Sequence, residues 1–406
     1  MEKDIKKPQI RFQGFTEEWE QHKLGDYCEM YNGDRSSKYP NASDMVDDGI
    51  PFINAGDLEN GSVNLKTANN ITREKYNQLC GAKLQIGDIV YCLRGTLGKN
   101  AFIDNFEEGT IASSLVAIRP KNIDGRYLYY ILNSDIEYRQ RIVHDEGAAQ
   151  PNLSAKSVSE FEIPILSIGE QKKISEYFTK FDHLISFHQR KYDSLVKVKK
   201  SMLEKMFPRS GDKKPEIRFV GFTDDWEQRK LEDIVDFLDT QRKPLEGAKR
   251  VNGPYPYYGA SGIVDYVNGY LFDEELILFS EDGANITDRN YPISFLASGK
   301  YWVNNHAHVL KTKKGYENNF VCNSLERKDY TPYNTGMAMP KLNQEVCRNI
   351  PVMCPKYEEQ KKIGDYFRNL DNLIFLHQRE CKFLSFSLIQ IRISLLNLYL
   401  YFQVLV

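Results

Sequence analysis

The sequence predicts an α+β protein with two mixed α/β domains joined by two long antiparallel coiled-coil helices, in a pseudo-twofold internal repeat. Three observations predict this. Two blocks of sequence occur twice in the same order, a long segment with heptad spacing follows each variable stretch, and the variable stretches hold short apolar runs bounded by turn residues. The predicted boundaries are 1–152 and 208–342 for the domains, with helical segments at 153–207 and 343–406.

The first repeated block precedes each variable stretch. It reads PQIRFQGFTEEWEQHKL from Pro8 to Leu24 and PEIRFVGFTDDWEQRKL from Pro215 to Leu231, with 12 of 17 positions identical. The second block reads EQKKISEYFTKFDHLISFHQR from Glu170 and EQKKIGDYFRNLDNLIFLHQR from Glu359, with 13 of 21 positions identical. Between the blocks, residues 25–149 and 232–338 show no obvious alignment. A constant frame around different contents is what two different reading surfaces on one scaffold would need.

The second repeated block begins a long helix in each copy. Its apolar residues fall at alternating steps of four and three, which is typical of a helix packed against a partner helix. In the first copy they are Ile174, Phe178, Phe181, Ile185, His188, Tyr192, Leu195, Met202 and Met206, and in the second Ile363, Phe367, Leu370, Ile374, His377, Cys381 and Leu384. The first run, about 38 residues at roughly 1.5 Å each, spans about 57 Å and needs a partner. The other copy is the nearest partner, and we expect His188 and His377 to form a packed, hydrogen-bonded pair rather than a metal site.

The charge balance excludes a protein that holds an acidic partner through bulk positive charge. The 406 residues include 54 Lys and Arg against 56 Asp and Glu, a net charge of -2. Hydrophobic residues make up 41% and charged residues 27%, which is typical of globular domains. The length itself predicts two or three domains. Local basic patches stay possible under this balance.

The cysteines and the terminus predict a protein of the reducing cytoplasm. The seven cysteines form no C-x-x-C pair and are odd in number, which argues against a disulfide framework or a zinc site. The first residues, MEKDIKKPQIRF, carry charge throughout and lack the apolar core of a signal peptide. No stretch in the body of the chain approaches ~18 apolar residues, so we expect no transmembrane helix.

Two polar loops stand out in the first variable stretch. Asp34–Lys38 (DRSSK) is one, and Leu93–Lys99 (LRGTLGK), directly after the strand-like Ile89–Cys92, is the other. The second resembles a phosphate-binding loop only superficially, because Gly95 and Gly98 lie too close together for the Walker pattern. We therefore expect this loop to approach a DNA backbone or a base edge rather than to bind a nucleotide.

The second variable stretch contains Ser298–Leu310 (SGKYWVNNHAHVL), which alternates like one strand. That pattern predicts His306 and His308 on one face, together with Asn304. Two histidines at this spacing suit a metal, but no third ligand has a convincing spacing, so no metal site is predicted. The exposed-strand interpretation, with hydrogen bonds to base edges or phosphates, and the interpretation as a half-buried strand with satisfied polar groups stay equally open.

No motif for catalysis is evident in the chain. It lacks the nucleophile elbow G-x-S-x-G, the metalloprotease motif H-E-x-x-H and a strand–G-x-G-x-x-G–helix unit. It also lacks the [D/N]-P-P-[Y/F] tetrapeptide with which amino-methyltransferases hold the target amine. The sequence therefore predicts no catalytic residue, and a fused DNA methyltransferase is disfavoured.

The whole arrangement resembles the specificity subunit of a type I restriction–modification system, over essentially the full chain. The residues that carry the resemblance are RF.GFT..WEQ.KL twice, EQKKI with D.LI and HQR twice, Ala149–Ser154 (AQPNLS), Tyr257–Gly262 (YYGASG) and Lys300–His306 (KYWVNNH). The duplicated frame makes the resemblance specific. Each variable stretch would then be a target-recognition domain that reads one half of a bipartite site in double-stranded DNA.

The resemblance also implies partners and cofactors. The two long helices would set the half-site separation and dock two modification (methyltransferase) subunits, which bring S-adenosylmethionine and flip the target adenine. Restriction (motor-nuclease) subunits would add ATP- and Mg-dependent translocation and cleavage. The chain itself would bind no cofactor, catalyse nothing and contact no membrane.

DNA-contacting residues are predicted from residue type and loop position. They are Arg35, Lys38, Arg94, Thr96 and Lys99 in the first domain, and Arg242, Lys243, Ser261, Lys300, Asn304 and His306 in the second. The chain departs from the family pattern after Arg379, where an apolar tail replaces the lysine-rich end of the first helix. This departure leaves the docking of a second modification subunit open. The alternative function is a non-catalytic coiled-coil scaffold with two partner-binding domains and no DNA specificity.

Overall fold

The chain divides into two compact units in the computed structural model. The first domain comprises Met1–Ser186 with Lys382–Val406, and the second domain comprises Phe187–Cys381. The structure describes residue 8 and residues 10–145, 151–247 and 250–395, without the side chains of 392–395. The predicted apolar tail lies outside the described residues from 396 onwards.

The first repeat contains twelve of the described strands and six of the described helices. The strands are β1 (Glu20–Lys23), β2 (Cys28–Asn32), β3 (Met45–Val46), β4 (Ile50–Ile53), β5 (Leu58–Glu59), β6 (Ser62–Val63), β7 (Asn69–Ile71), β8 (Ile89–Cys92), β9 (Asn100–Phe102), β10 (Thr110–Ile111), β11 (Leu115–Pro120) and β12 (Glu162–Ile165). The helices are α1 (Leu24–Tyr27), α2 (Arg73–Gln78), α3 (Gly125–Leu132), α4 (Asp135–His144), α5 (Ala155–Ser159) and α6 (Ile168–Lys205).

The second repeat contains the remaining described elements. The strands are β13 (Glu227–Lys230), β14 (Val235–Phe237), β15 (Asn252–Gly259), β16 (Gly262–Val267), β17 (Phe272–Asp273), β18 (Leu276–Ser280), β19 (Ser294–Ala297), β20 (Lys300–Val303), β21 (Ala307–Thr312) and β22 (Pro351–Cys354). The helices are α7 (Leu231–Ile234), α8 (Asn285–Asp288), α9 (Asn318–Glu326), α10 (Gln344–Arg348) and α11 (Tyr357–Leu395).

The same four-stranded antiparallel sheet occurs in both domains, although their sequences do not align. Its strand order is β2-β11-β8-β9 in the first domain and β14-β21-β18-β19 in the second. The inner strands β8 and β18 are apolar runs (IVYC and LILFS) in which every residue is buried. Burial on both faces selects for such continuous apolar runs, so many different sequences satisfy the same sheet. This explains how the fold repeats where the letters do not.

A second sheet differs between the domains. In the first domain its order is β10-β4-β7-β3, and in the second it is β16-β15-β20-β17. The prediction of one strand through Ser298–Leu310 is wrong, because β20 ends at Val303 and β21 begins at Ala307. The Oδ1 of Asn304 accepts the backbone N–H of His306 at 2.8 Å and so closes a turn between the two strands.

The repeated blocks join each domain to the start of its long helix. Strand β1 pairs antiparallel with β12, and β13 pairs in the same way with β22. In each repeat an arginine of the first block also donates two hydrogen bonds of 2.7 Å to a glutamate of the second block. Arg11 binds Glu170, and Arg218 binds Glu359. Trp19 and Trp226, which directly precede β1 and β13, are both buried.

The long helices confirm the predicted heptad pairing. In the second domain the Nζ of Lys199 on α6 lies 2.6 Å from Asp371 on α11, and His188 contacts His377, so residue numbers rise along one helix as they fall along the other. In the first domain Ile185 of α6 packs in the same core cluster as Leu388 of α11. The helices therefore run antiparallel in each domain. None of the helices in the described residues is long and apolar enough to cross a membrane.

Candidate nucleic-acid interface

One end of the four-stranded sheet in the first domain gathers three chain segments. Directly after β8, the backbone N–H of Leu93 donates to the carbonyl of Ser114 at 2.9 Å. The carbonyl of Leu93 in turn accepts the N–H of Leu153 at 3.0 Å, and Arg94 forms a single antiparallel bridge with Asn152. The loop after β8 is therefore held on both sides, by Ser114 just before β11 and by Asn152 and Leu153.

The loop itself exposes two of the predicted residues and turns a third inward. Arg94 and Thr96 are exposed, and the Nε of Arg94 donates to Oδ1 of Asn152 at 3.1 Å. Lys99 is half-buried, with its Nζ 3.1 Å from the carbonyl of Ala55. Gly95 has φ of 79°, a conformation that side-chain-bearing residues rarely adopt. Arg94 and Thr96 are thus available to a ligand, whereas Lys99 supports the loop.

Arg35 reaches the same end of the sheet from the loop after β2. It is exposed, and its terminal nitrogen donates to the carbonyl of Ser113 at 3.3 Å. Its neighbour Asp34 is buried and accepts the N–H groups of Ser36 at 2.6 Å and Cys80 at 2.7 Å. Burial by itself raises the pKa of Asp34, but these hydrogen bonds outweigh it and hold the pKa below its ordinary value. An ionised Asp34 thus fixes the loop that presents Arg35.

Lys38 completes the predicted set in the first domain. It is exposed, and its backbone N–H donates to Oγ of Ser36 at 3.2 Å. A cleft of about 360 Å³ lies beside Arg35 and is lined by Met30–Ser36 and Cys80–Ala82. The structure therefore brings Arg35 and Arg94 together through the consecutive residues Ser113 and Ser114, and it gives Lys38 no contact with that pair.

The second domain repeats this arrangement at the end of β18. The N–H of Glu281 donates to the carbonyl of His306 at 2.9 Å, and its carbonyl accepts the N–H of Leu342 at 2.7 Å. Asp282 forms a single antiparallel bridge with Lys341, and Gly283 follows with φ of 110°. These are the backbone contacts of Leu93, Arg94 and Gly95 in the first domain. Asp282 therefore occupies the place of Arg94, and Lys341 that of Asn152.

Arg242 occupies the place of Arg35 but is engaged differently. Its terminal nitrogen NH1 lies 3.4 Å from the carbonyl of Asn305, as that of Arg35 lies beside the carbonyl of Ser113. It also donates to Oε2 of Glu281 and to the carbonyl of Ala307, each at 2.7 Å, and its side chain is only 12% exposed. The guanidinium of Arg242 thus ties together the loops that frame the site.

His306 and Asn304 lie at this end of the sheet, on different terms. The His306 side chain is 50% exposed, and its Nδ1 lies 2.8 Å from Oδ1 of Asp282. Asn304 is 7% exposed and is occupied in the turn before β21. The turn that contains Ser261 lies close by, because the carbonyl of Ala260 accepts the Oγ–H of Ser280, the last residue of β18, at 2.5 Å. Ser261 itself is exposed.

Lys243 and Lys300 lie on the second sheet of this domain. Lys243 is exposed, and its carbonyl accepts Nε1 of Trp302 at 2.6 Å. Lys300 is also exposed and lies over the ring of Tyr270, with Nζ 4.8 Å from the ring centroid. Lys300 is the first residue of β20, whereas Asn304 follows the last residue of that strand. Lys300 therefore lies at the opposite end of β20 from His306. The structure does not bring Lys300 together with the other predicted residues.

His308 does not share a face with His306, in contrast to the prediction, and it fits the half-buried interpretation with satisfied polar groups. It is 1% exposed, and its Nδ1 lies 2.6 Å from Oδ2 of Asp239 while its Nε2 lies 2.8 Å from the carbonyl of Leu342. An ionised Asp239 and the carbonyl of Leu342 are both acceptors, so each ring nitrogen of His308 faces an acceptor. These two contacts anchor Leu342, which follows Lys341, to the sheet.

Sequence reasoning missed four residues of the two matched sites: Ser114, Asn152, Asp282 and Lys341. A sequence signal was present for two of them, because Asn152 and Lys341 are the third residues of two similar short segments, QPNLS and MPKLN. Arg94 and Asp282 share a weaker signal, because each follows a buried strand and precedes a glycine. The sheet pairing that makes these positions equivalent is contributed by residues far apart in the chain.

Both repeats match the same protein family when the chain is compared with known proteins. Residues 16–197 and 223–382 each match the family model described as the type I restriction modification DNA specificity domain. The type I restriction enzyme MjaVIII specificity subunit of Methanocaldococcus jannaschii is 22% identical over 412 aligned positions, which cover 90% of this chain and 88% of that protein. A putative type I restriction enzyme specificity subunit of Haemophilus influenzae is 36% identical over 137 residues, about a third of either chain.

A solved structure supports the fold independently of close sequence similarity. The crystal structure of the type I restriction–modification S subunit from M. genitalium superposes with a TM-score of 0.69 and covers 96% of this chain and 99% of that one. The two sequences are 15% identical, so this likeness shows the shared fold alone. The two family matches establish that the chain belongs to the family of type I restriction modification DNA specificity domains and carries two copies of that domain.

Proposed function

We propose that this chain is the DNA-reading subunit of a type I restriction–modification complex and recognises a bipartite site in double-stranded DNA. Each domain reads one half of the site with the loops at the end of its four-stranded sheet. The observation that carries the proposal is that two domains build the same loop frame and equip it with different side chains, Arg94 and Asn152 in one and Asp282 and Lys341 in the other. A repeated frame with different contents suits two halves of different sequence.

The near-neutral charge of the chain is compatible with this role. Non-specific DNA binding depends on phosphate neutralisation, whereas specificity comes from contacts to base edges. One good bidentate base contact discriminates by about 1–3 kcal/mol, and a specific site exceeds non-specific binding by about 4–10 kcal/mol. A few contacts in each domain therefore suffice, and partner subunits supply further positive charge.

The partners are two modification subunits and the restriction subunits. Exposed apolar side chains on the long helices support protein docking there, because soluble surfaces rarely display such clusters without a partner. In the second domain Phe375 is 63% exposed, and in the first domain Phe383 and Phe386 are 63% and 60% exposed. The modification subunits supply S-adenosylmethionine chemistry on adenine, and the restriction subunits supply ATP- and Mg-dependent cleavage of unmodified DNA. This chain positions them and is not itself an enzyme.

Genome-wide mapping of adenine methylation tests the proposal. Cells that carry the modification subunits are compared with and without this chain. We expect a split motif, two short specified halves around a fixed gap, that is present only with the chain. Identical methylation in both cultures would leave two explanations, a chain disabled by its altered helix end or a scaffold without DNA specificity.

A second experiment separates an inactive helix end from a wrong assignment. If no motif is found, the residues after Arg379 are replaced by the lysine-rich Lys191–Phe207 of the first copy. A motif that then appears supports DNA reading by the domains and attributes the loss to the altered helix end. Salt-sensitive DNA binding alone would not decide, because non-specific binding is also salt-sensitive.

A further inference from the structure

We propose that the matched ends of the two four-stranded sheets, at the ends of β8 and β18, read opposite hydrogen-bonding groups in the two halves of the site. Arg94 reads a guanine, as a donor, and His306, oriented by Asp282, reads the amino group of an adenine or a cytosine, as an acceptor. This inference rests on the proposed function and names the base chemistry that each domain recognises.

In the first domain the reading group is a fixed pair of donors. The Nε of Arg94 is bonded to Asn152 at 3.1 Å, which orients the planar guanidinium. Among the described residues no acceptor is bonded to its two terminal nitrogens, and the side chain is exposed. Guanine presents two adjacent acceptors, O6 and N7, in the major groove, and an arginine fork matches them with two parallel hydrogen bonds.

The backbone beside Arg94 allows a close approach. Gly95 has nothing within 4 Å of the position where a Cβ would lie, and its φ of 79° suits glycine. Asn152 is itself held, because its backbone N–H donates to Oδ1 of Asp145 at 2.9 Å. The guanidinium is therefore oriented by a residue that cannot readily move, which is what discrimination between bases requires.

In the second domain the equivalent end of the sheet presents an acceptor. An ionised Asp282 carboxylate can only accept, so the Nδ1 of His306, 2.8 Å away, carries the proton. In the neutral imidazole the Nε2 then has a free lone pair, and no described residue is bonded to it. In the major groove the donors are the N6 amino group of adenine and the N4 amino group of cytosine. His306 is thus equipped to accept from these bases.

The other predicted residues at this end are less suited to reading. The side chains of Arg242 and Asn304 form hydrogen bonds within the protein, and so does the side chain of Lys99 in the first domain. Ser114 is the counterpart of His306 in the first domain. The carbonyl of each accepts the backbone N–H of the residue that follows the inner strand, Leu93 or Glu281. The two frames therefore differ in the sign of the group that they offer, with Arg94 at one and Asp282 and His306 at the other.

The experiment maps methylation motifs for Arg94→Gln, His306→Gln and Asp282→Asn in cells with the modification subunits. We expect Arg94→Gln to relax one guanine in one half, and His306→Gln to relax one adenine or cytosine in the other half, each by at least about tenfold in discrimination. Asp282 is a positioning residue, so Asp282→Asn relaxes the same base as His306→Gln, because an amide no longer fixes the imidazole tautomer. Arg73→Gln, which removes an exposed arginine paired with Glu108, is the control and leaves the motif unchanged.

Several outcomes overturn the inference while the proposed function stands. An unchanged motif with uniformly weaker methylation assigns Arg94 or His306 to phosphate contact, and changes confined to the same half for both residues contradict the assignment of one turn to each half. Loss of all methylation is checked with Arg94→Lys and His306→Asn and by recovery of the complex on an affinity tag. If these variants also abolish all methylation while the complex is still recovered, the two residues are needed for more than the discrimination of one base, and the inference is overturned. The absence of any split motif, even after the helix end is replaced, overturns the proposed function itself.

Discussion

His188 and His377 are equivalent residues of the internal repeat, and they contact each other. Their Nδ1 atoms are 2.9 Å apart, and the residues are separated by 189 positions, the same offset as Glu170 and Glu359 at the start of the repeated blocks. A single residue type thus supplies both sides of a hydrogen bond where the two helices cross in register. The predicted histidine pair is confirmed.

Replacing one histidine should cost more than replacing both. His188→Leu leaves the Nδ1 of His377 without its partner, and we expect the free energy of unfolding to fall by about 1 kcal/mol. The double variant His188→Leu/His377→Leu restores a continuous apolar seam and should recover most of that loss. Urea unfolding of the wild type, both single variants and the double variant measures this coupling. Additive losses would contradict a direct pair.

The buried arginine–glutamate clamps should be the most sensitive ion pairs. Glu170 is 1% exposed and Glu359 2%, and each binds an arginine through two hydrogen bonds. Glu170→Ala leaves a largely buried guanidinium unpaired, which should cost about 3–5 kcal/mol in the first domain. Hydrogen exchange of the β1 and β12 amides measures the local loss, and Glu359→Ala should act in the same way on β13 and β22. Lys23→Ala, at an exposed pair with Glu160, is the control and should destabilise the first domain far less than Glu170→Ala.

Asp239 should make the second domain sensitive to acid. Burial by itself raises the pKa of Asp239, but the hydrogen bond and the charge of His308 outweigh it, and the pKa lies below its ordinary value. A carboxyl with a lowered pKa stabilises the fold above its unfolded pKa of about 3.9, and this stability is lost as the pH falls through the folded pKa.

Asp239→Asn therefore has two expected effects. It lowers the free energy of unfolding near neutral pH, because His308 loses its carboxylate partner, and it flattens the decline between about pH 5 and pH 2. Urea unfolding across a pH series measures both. Asp236→Asn, at a carboxylate that is 61% exposed, is the matched control. An equally steep acid decline in Asp239→Asn would contradict this account.

Thiol reactivity should single out one cysteine. Cys80 is exposed, while Cys28, Cys92, Cys322, Cys347, Cys354 and Cys381 are buried. Burial raises the pKa of Cys28, Cys322 and Cys354 to about 12, so they hold few thiolates at pH 8. A thiol-specific dye should label the native protein rapidly at Cys80, and Cys80→Ser should remove this fast phase. Fast labelling that persists in Cys80→Ser would show that a buried thiol opens readily.

A methyl group at Gly33 should disturb the loop that carries Arg35. A Cβ at Gly33 would lie 2.2 Å from the carbonyl oxygen of Ala112, which is backbone and cannot rotate away. We expect Gly33→Ala to lower the free energy of unfolding by about 1–3 kcal/mol. Gly56→Ala is the control, because nothing lies within 4 Å of its added Cβ, and it should change stability by about 0.5 kcal/mol or less. Equal losses in both variants would contradict a steric cause.

The repeat, the two long helices and their partner faces can be predicted from the amino-acid sequence alone. These features are readable because identity between blocks and heptad spacing are local patterns that need no knowledge of distant contacts. The same reasoning placed Arg94 and Thr96 in an exposed loop after a strand, and the structure agrees. Whether these two residues contact DNA stays a prediction.

The set of residues that meet at each of the two sheet ends follows from the fold and could not be predicted from the sequence. His306 and His308 look alike in the sequence, yet one is half-exposed beside Asp282 and the other is buried between Asp239 and Leu342. The match between Arg94 and Asp282 depends on strand pairing inside two stretches whose sequences do not align. The physical reason is that buried strands require only apolar side chains, so the letters vary while the backbone hydrogen bonds fix which loops come together.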